Sequence, residues 1–217
     1  HIAHVSTAGS VRLIRDAKAR KIRVTAEMAP HYFTLTDEAV RTLDTSTRVN
    51  PPLRSEKDRA AIREGLRDGT LDVIASDHAP KDKKINDDFF DAPFGSPSCE
   101  TMFTVTYQRG VNEGRLDLCT LVRAMSETPA RIFGLFPQKG IVQKGSDADL
   151  VVFDPSRKQR ITQKIQHSNA SYTLYEGFEC LGTPTMVMQR GEVVVEGEEL
   201  RSKVGRGNFL PTNISSK

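Results

Sequence analysis

Three apolar runs in this 217-residue sequence finish on groups that bind metal or carry protons. "HIAHVST" at 1–7 carries His4, "IRVTAEMAP" at 22–30 carries Glu27 with His31 just beyond, and "LDVIASDHAP" at 71–80 ends on Asp77 and His78. A lone strand-end histidine is commonly a satisfied structural residue, whereas three successive endings of this kind form a constellation. Neutral imidazole and carboxylate are the donors expected of a hydrolytic zinc or related divalent centre. A carboxylate drawn out of water at the end of an apolar strand is costly unless a cation accompanies it, which makes Asp77 the strongest pointer to a metal.

The elements that must position these groups follow a strand–helix rhythm. After the first run, Val11, Leu13, Ile14 and Ala17 have helical spacing, with basic residues gathering through Lys21. The second strand stops at Pro30, and "TLTDEAV" supplies a Thr or Asp cap and a short helix. "SEKDRAAIREGLRDGT" predicts a longer helix, with Ser55 as N-cap, Asp58 as the acidic half of a capping box and Gly69 ending it. The third strand comes next. This alternation implies parallel β/α units, which gather reactive groups at the C-terminal ends of their strands. "DAPFGSPSCET" reads as a shaped loop, and helices are expected over about 100–113 and 117–126. "TPARIFGL" predicts a further helix capped by Thr128, with Pro129 at its first position. From Lys139 the texture changes to β-branched runs between glycine turns, as in "KGIVQKGSDADLVVFDP" and "PTMVMQRGEVVVEG". Those runs predict antiparallel strands. The expected division is 1–138, 139–200 and a tail at 201–217.

Composition excludes several classes. The net charge is +3 with bases and acids interspersed, so Lys81-Asp82-Lys83-Lys84 reads as a solvated loop and not as a nucleic-acid patch. Three widely spaced cysteines argue against a disulfide framework or a CxxC zinc site and fit a reducing, cytoplasmic setting. No apolar run approaches membrane-spanning length.

The blocks "HIAHVST", "VTAEMAPHYFTLTDE", "VNPPLRSEKDR", "DGTLDVIASDHAP", "DAPFGSPSCET", "TPARIFGL" and "KGSDADLVVFDP" together resemble the cyclic amidohydrolases: dihydroorotase, hydantoinase, dihydropyrimidinase and allantoinase. The resemblance implies an α/β fold, a (β/α)8 barrel of the metal-dependent hydrolase type with a small β-sandwich domain. It implies a centre of two divalent ions, zinc first, with manganese or cobalt as alternatives. His4 corresponds to the metal-ligand histidine ending barrel strand six. Asp77 corresponds to the strand-eight aspartate, which binds metal and serves as general base and acid. Glu27 matches a carboxylate that only some members use as a ligand, and a hydrogen-bonded strand-end acid is an equal reading. His31 and His78 fit supporting or structural roles better than ligation. Asn50 and the Phe94–Gly95 backbone match positions that hold the substrate ring in dihydroorotase-like members.

By the same resemblance the chain corresponds to the C-terminal half of such an enzyme, strands six to eight. It is expected to need the N-terminal half, with its remaining ligands, as a partner. A homodimer or homotetramer is expected as well. The implied activity is hydrolytic opening of a small cyclic amide, of the hydantoinase or dihydropyrimidinase type first, with dihydroorotase as the alternative. The closing stretch "SNASYTLYEGFECLGTPTMVMQRGEVVVEGEE" leans to hydantoinase and dihydropyrimidinase. "VNPPLR" with "APFG" leans to dihydroorotase, which converts dihydroorotate to N-carbamoyl-aspartate in pyrimidine synthesis. Lys81 stands where dihydroorotases have a substrate-binding histidine, and it reads either as a point charge for an acidic substrate or as a solvated lysine. A non-catalytic, dihydropyrimidinase-like assembly protein is the alternative of another class.

Overall fold

The computed structural model describes residues 1–83 and 88–212. Its first layer is parallel. Ile2 bridges Ala26, and β1 (Glu27–Met28) pairs in parallel with β2 (Val73–Ile74) through Glu27↔Val73 and Met28↔Ile74. The order is therefore Ile2, β1, β2, with each expected strand shortened to a bridge or a two-residue ladder. Backbone conformation explains the shortening: His4 (φ 58°) and Asp77 (φ 50°) both turn left-handed and take the chain out of the ladder.

Helix α1 (Ala8–Ala19) starts where Thr7 Oγ1 accepts the Ser10 N–H at 3.1 Å. It buries Val11 and Ile14 against α4 (Glu56–Arg67), which buries Ile62, Gly65 and Leu66. Gly65 permits that approach, since a Cβ there would lie 3.0 Å from Val11 Cγ1. Between them lie α2 (Pro30–Thr34), buried throughout, and the short α3 (Val40–Leu43), which has no side-chain cap. The expected capping box forms: Ser55 Oγ donates to Asp58 Oδ2 at 2.6 Å and accepts the Asp58 N–H at 3.4 Å. Met28, Phe33 and Ile62 are fully buried at the centre of this layer.

The segment expected as three helices differs. Helix α5 (Met102–Thr106) continues through a π-turn at Tyr107–Asn112. Helix α6 (Leu118–Val122) continues through a second π-turn at Arg123–Glu127 into α7 (Thr128–Ile132) without a break. Thr128 is thus helical (φ −63°, ψ −48°) and caps nothing; the cap is Asp117, which accepts the Thr120 N–H at 2.9 Å. Pro129 has no N–H to place in an α-helical ladder, and the wider π-turn just before it accommodates that loss.

The second layer is antiparallel, in the order β3 (Leu150–Arg160), β4 (Glu179–Gln189), β5 (Glu192–Glu196), β6 (Glu199–Leu200), with bulges in the β3–β4 and β4–β5 ladders. Among the described residues it is one sheet and not two facing ones, and the parallel layer is an open arc and not a closed barrel. Phe153 packs edge-on against Phe103 and Tyr107, joining this sheet to α5. The early tail folds back: Arg206 pairs with Glu192, and its carbonyl accepts from the Arg190 guanidinium at 2.6 Å.

Candidate metal centre

The first and third strand ends converge. His4 Nε2 lies 3.1 Å from Asp77 Oδ1, so the two side chains present donors to one point at the mouth of the parallel layer. The left-handed turns at both residues aim them there, and such conformations gather at functional sites. Burial pushes the Asp77 carboxyl above its usual range, the His4 ring pulls the other way, and Glu27 adds to the rise. Glu27 is also raised by burial, opposed by His4. Its Oε2 is 3.0 Å from His1 Nε2, and the same ring reaches Thr25 Oγ1 at 2.8 Å through Nδ1. His1 was not singled out by the sequence reading, although it heads the strand that carries His4. Glu27 is thus a hydrogen-bonded strand-end acid, close enough to His4 and Asp77 to interact with both electrostatically.

The other two histidines part company. His31 is 1% exposed, its Nε2 is 3.6 Å from Asp77 Oδ2, and neither ring nitrogen has a hydrogen-bond partner. Burial, reinforced by the charge of His4, pushes His31 down to about 3, so it is neutral at physiological pH. His78 is exposed, and its Nδ1 accepts the backbone N–H groups of Ser98 (3.0 Å) and Cys99 (3.2 Å). That fixes the proton on Nε2 and gives His78 the work of anchoring the 96–99 loop.

Do these groups suit a divalent ion? Two donors of the right chemistry meet, beside a buried imidazole with unsatisfied nitrogens, in a setting where desolvation leaves a carboxylate in need of a cation. Among the described residues no cluster of three or more His, Cys, Asp or Glu closes on one point, so His4 and Asp77 fit as part of a ligand set that other residues must complete.

A second group of candidates lies on neighbouring loops. Asn50 is exposed and precedes Pro51, whose carbonyl accepts from Tyr32 Oη at 2.7 Å. The Gly95 N–H donates to the Arg48 carbonyl at 3.0 Å, which sets the Phe94–Gly95 peptide two residues from Asn50. The Arg48 guanidinium stacks over Phe94, 4.5 Å from the ring centre. Gly95 has φ 127°, and a Cβ there would sit 2.5 Å from the Ala79 carbonyl oxygen, so only glycine fits. Lys81 is exposed on the same loop. Lys83, read from the sequence as part of a solvated run, is instead 3% exposed. Lys84 lies outside the described residues. Cys99, Cys119 and Cys180 are free thiols, and no helix among the described residues is long and apolar enough to cross a membrane.

Comparison with known proteins agrees with this architecture. A family model described as "Amidohydrolase family" matches residues 1–194, and the chain belongs to that family. The dihydroorotase of Pelotomaculum thermopropionicum is 48% identical over 202 residues, 93% of this chain and 47% of that protein. The dihydroorotase of Syntrophus aciditrophicus is 45% identical over 90% of this chain and 46% of its own length. Among solved structures, a D-hydantoinase from Bacillus sp. AR9 superposes with a TM-score of 0.91 at 32% identity, covering 96% of this chain and 47% of that one. The dihydropyrimidinase from Brevibacillus agri NCHU1002 gives 0.87 at 33% identity, over 92% and 45%. The chain spans about half the length of the curated relatives it matches.

Proposed function

We propose that this chain works as the carboxy-terminal half of a metal-dependent hydrolase that opens a cyclic amide, with residues 1–138 carrying the chemistry. The observation that carries this reading is the approach of His4 Nε2 to Asp77 Oδ1 at 3.1 Å across neighbouring strand ends. His4 and Asp77 would hold a divalent ion, zinc by preference, together with ligands from the other half. When bound, the metal centre supplies an activated water and polarises the scissile carbonyl. Asp77 takes the proton released as the water attacks and delivers it to the ring nitrogen as the C–N bond breaks. Neutral His31, against the second carboxylate oxygen, keeps bulk water from that side. Asn50 and the Phe94–Gly95 peptide form the wall against which the ring lies.

For the substrate we infer dihydroorotate. Identity of 45–48% to dihydroorotases over at least 90% of the chain supports it, and exposed Lys81 beside the loop offers a point charge to an acidic ring. The second reading, hydantoinase or dihydropyrimidinase, is favoured by the superpositions at 0.86–0.91 and by the texture of the closing stretch. Turnover of dihydroorotate, hydantoin and dihydrouracil by the intact protein, with metal analysis, decides. Opening of dihydroorotate alone is the expected result, and opening of the other two instead installs the second reading. No turnover and no stoichiometric divalent metal would leave an assembly protein in place of an enzyme.

A further inference from the structure

Among the described residues, Lys83 is a lysine only 3% exposed, away from the candidate metal centre. Its ammonium is buried and donates to the carbonyls of Arg48 at 2.9 Å, Thr45 at 3.1 Å and, more weakly, Ser46 at 3.4 Å. It lies 5.2 Å from the centre of the Tyr172 ring. A lysine loses much side-chain freedom and hydration on burial, so three carbonyls and an aromatic face are the compensation such a site requires.

Two of the four groups around the Lys83 ammonium also hold Gly95. The Arg48 carbonyl accepts from both the Lys83 ammonium and the Gly95 N–H, the latter at 3.0 Å. Tyr172 presents its ring to Lys83 and donates its hydroxyl to the Gly95 carbonyl at 2.9 Å. Both ends of the Gly95 residue are therefore held by partners fastened to one cation. Ser171 Oγ adds a stitch, donating to Asp82 Oδ1 at 3.1 Å and reaching the Lys83 carbonyl at 3.4 Å.

We propose that Lys83 is a positioning residue for the substrate-ring wall, its ammonium locking the 45–48 turn and Tyr172 together so that Asn50 and the Gly95 peptide keep a fixed separation. This rests on the reading that Asn50 and Phe94–Gly95 contact the ring, and it adds a group that acts through them without touching substrate. Among the described residues, the charged and titratable neighbours of Lys83 are Arg48 and Tyr172, with Asp82 adjoining through the Ser171 hydroxyl. Burial first, then the Arg48 charge, brings Lys83 down to about 8, while burial and the charge of Asp82 hold Tyr172 well above its usual range. Below about pH 8 the lock carries its full charge, and above it the charge is lost.

The test compares intact wild-type protein with Lys83→Met and Lys83→Arg, using ring opening of dihydroorotate and hydrogen exchange of the backbone amides over 89–96. Expected in Lys83→Met is a KM raised about tenfold with kcat within about threefold, and faster exchange at Gly95. Wild-type KM should climb above about pH 8, and Lys83→Arg, which does not titrate there, should lose that climb. A fall in kcat at constant KM, or unchanged KM with unchanged exchange, overturns the proposal. Should the intact protein open no cyclic amide, the functional reading fails by itself. Gly95 exchange still decides on the lock, supporting it when faster in Lys83→Met and sinking it when unchanged.

Discussion

The parallel layer and the antiparallel sheet distribute order in opposite ways. Strands β1 and β2 are two residues long, and the chain leaves the Ile2 bridge and β2 through left-handed residues at His4 and Asp77. Strands β3 and β4 run for eleven residues each in a ladder interrupted only by bulges. Yet the short parallel strands sit on a core in which Met28, Phe33 and Ile62 are fully buried, while the long ladder leaves Val151 57% and Val152 48% exposed. The lesson is that hydrogen-bonded regularity and rigidity are separate properties. Non-glycine left-handed turns cost on the order of 1–3 kcal/mol each, and a dense core can hold them where a ladder could not. The proposed chemistry sits where the backbone is irregular and a buried core lies beneath it.

Four experiments break or sharpen that contrast. Asp77→Asn in the intact protein should lower turnover about a thousandfold with an unchanged melting profile, because it removes a proton carrier and not a packing element. Activity within a few-fold of wild type would take Asp77 out of the chemistry. Ile62→Ala should destabilise by about 3 kcal/mol in denaturant titration, against less than about 0.5 kcal/mol for Val151→Ala in the ladder. Equal losses would erase the difference between the layers. Gly95→Ala should cost about 2 kcal/mol, because its φ and the Ala79 carbonyl leave no room for a methyl group. The smallest effect concerns a seam between the layers, where His167 Nδ1 meets Glu100 at 2.6 Å and its Nε2 meets the Glu198 carbonyl at 3.0 Å. The Glu100 hydrogen bond raises His167 above its ordinary value. Its contribution is therefore fully present below the unfolded value of about 6.5 and fades as pH rises through the folded one. Wild type should melt above His167→Gln in mild acid, with the gap closing in alkali; a pH-independent gap would assign the effect to packing.

Much of this was legible in the sequence because it depends on local rules. Strand-end placement brought His4 and Asp77 forward, and the structure sets these two endings 3.1 Å apart. Ser55 and Asp58 announced a helix start that forms as expected. What stayed hidden depends on distant partners. Lys83 lies in a run of charges that reads as solvated, and only carbonyls at 45–48 and the ring of Tyr172 bury it. Thr128-Pro129 carries a helix-start signal, but the preceding π-turn lets one helix pass straight through it. The strands looked longer than they are because β-branched composition does not reveal a left-handed turn at a histidine or an aspartate.

Asp58 has a reach beyond its own helix. Besides answering Ser55 at the start of α4, its Oδ1 accepts the Ala8 N–H at 2.8 Å, four residues past His4. One carboxylate thus serves the opening turns of two helices and ties the exit of the first strand to a segment fifty positions away. Across related sequences, the acid at this position and the residues around Ala8 should change in concert. Loss of that covariation would mark lineages that have found another way to moor the histidine.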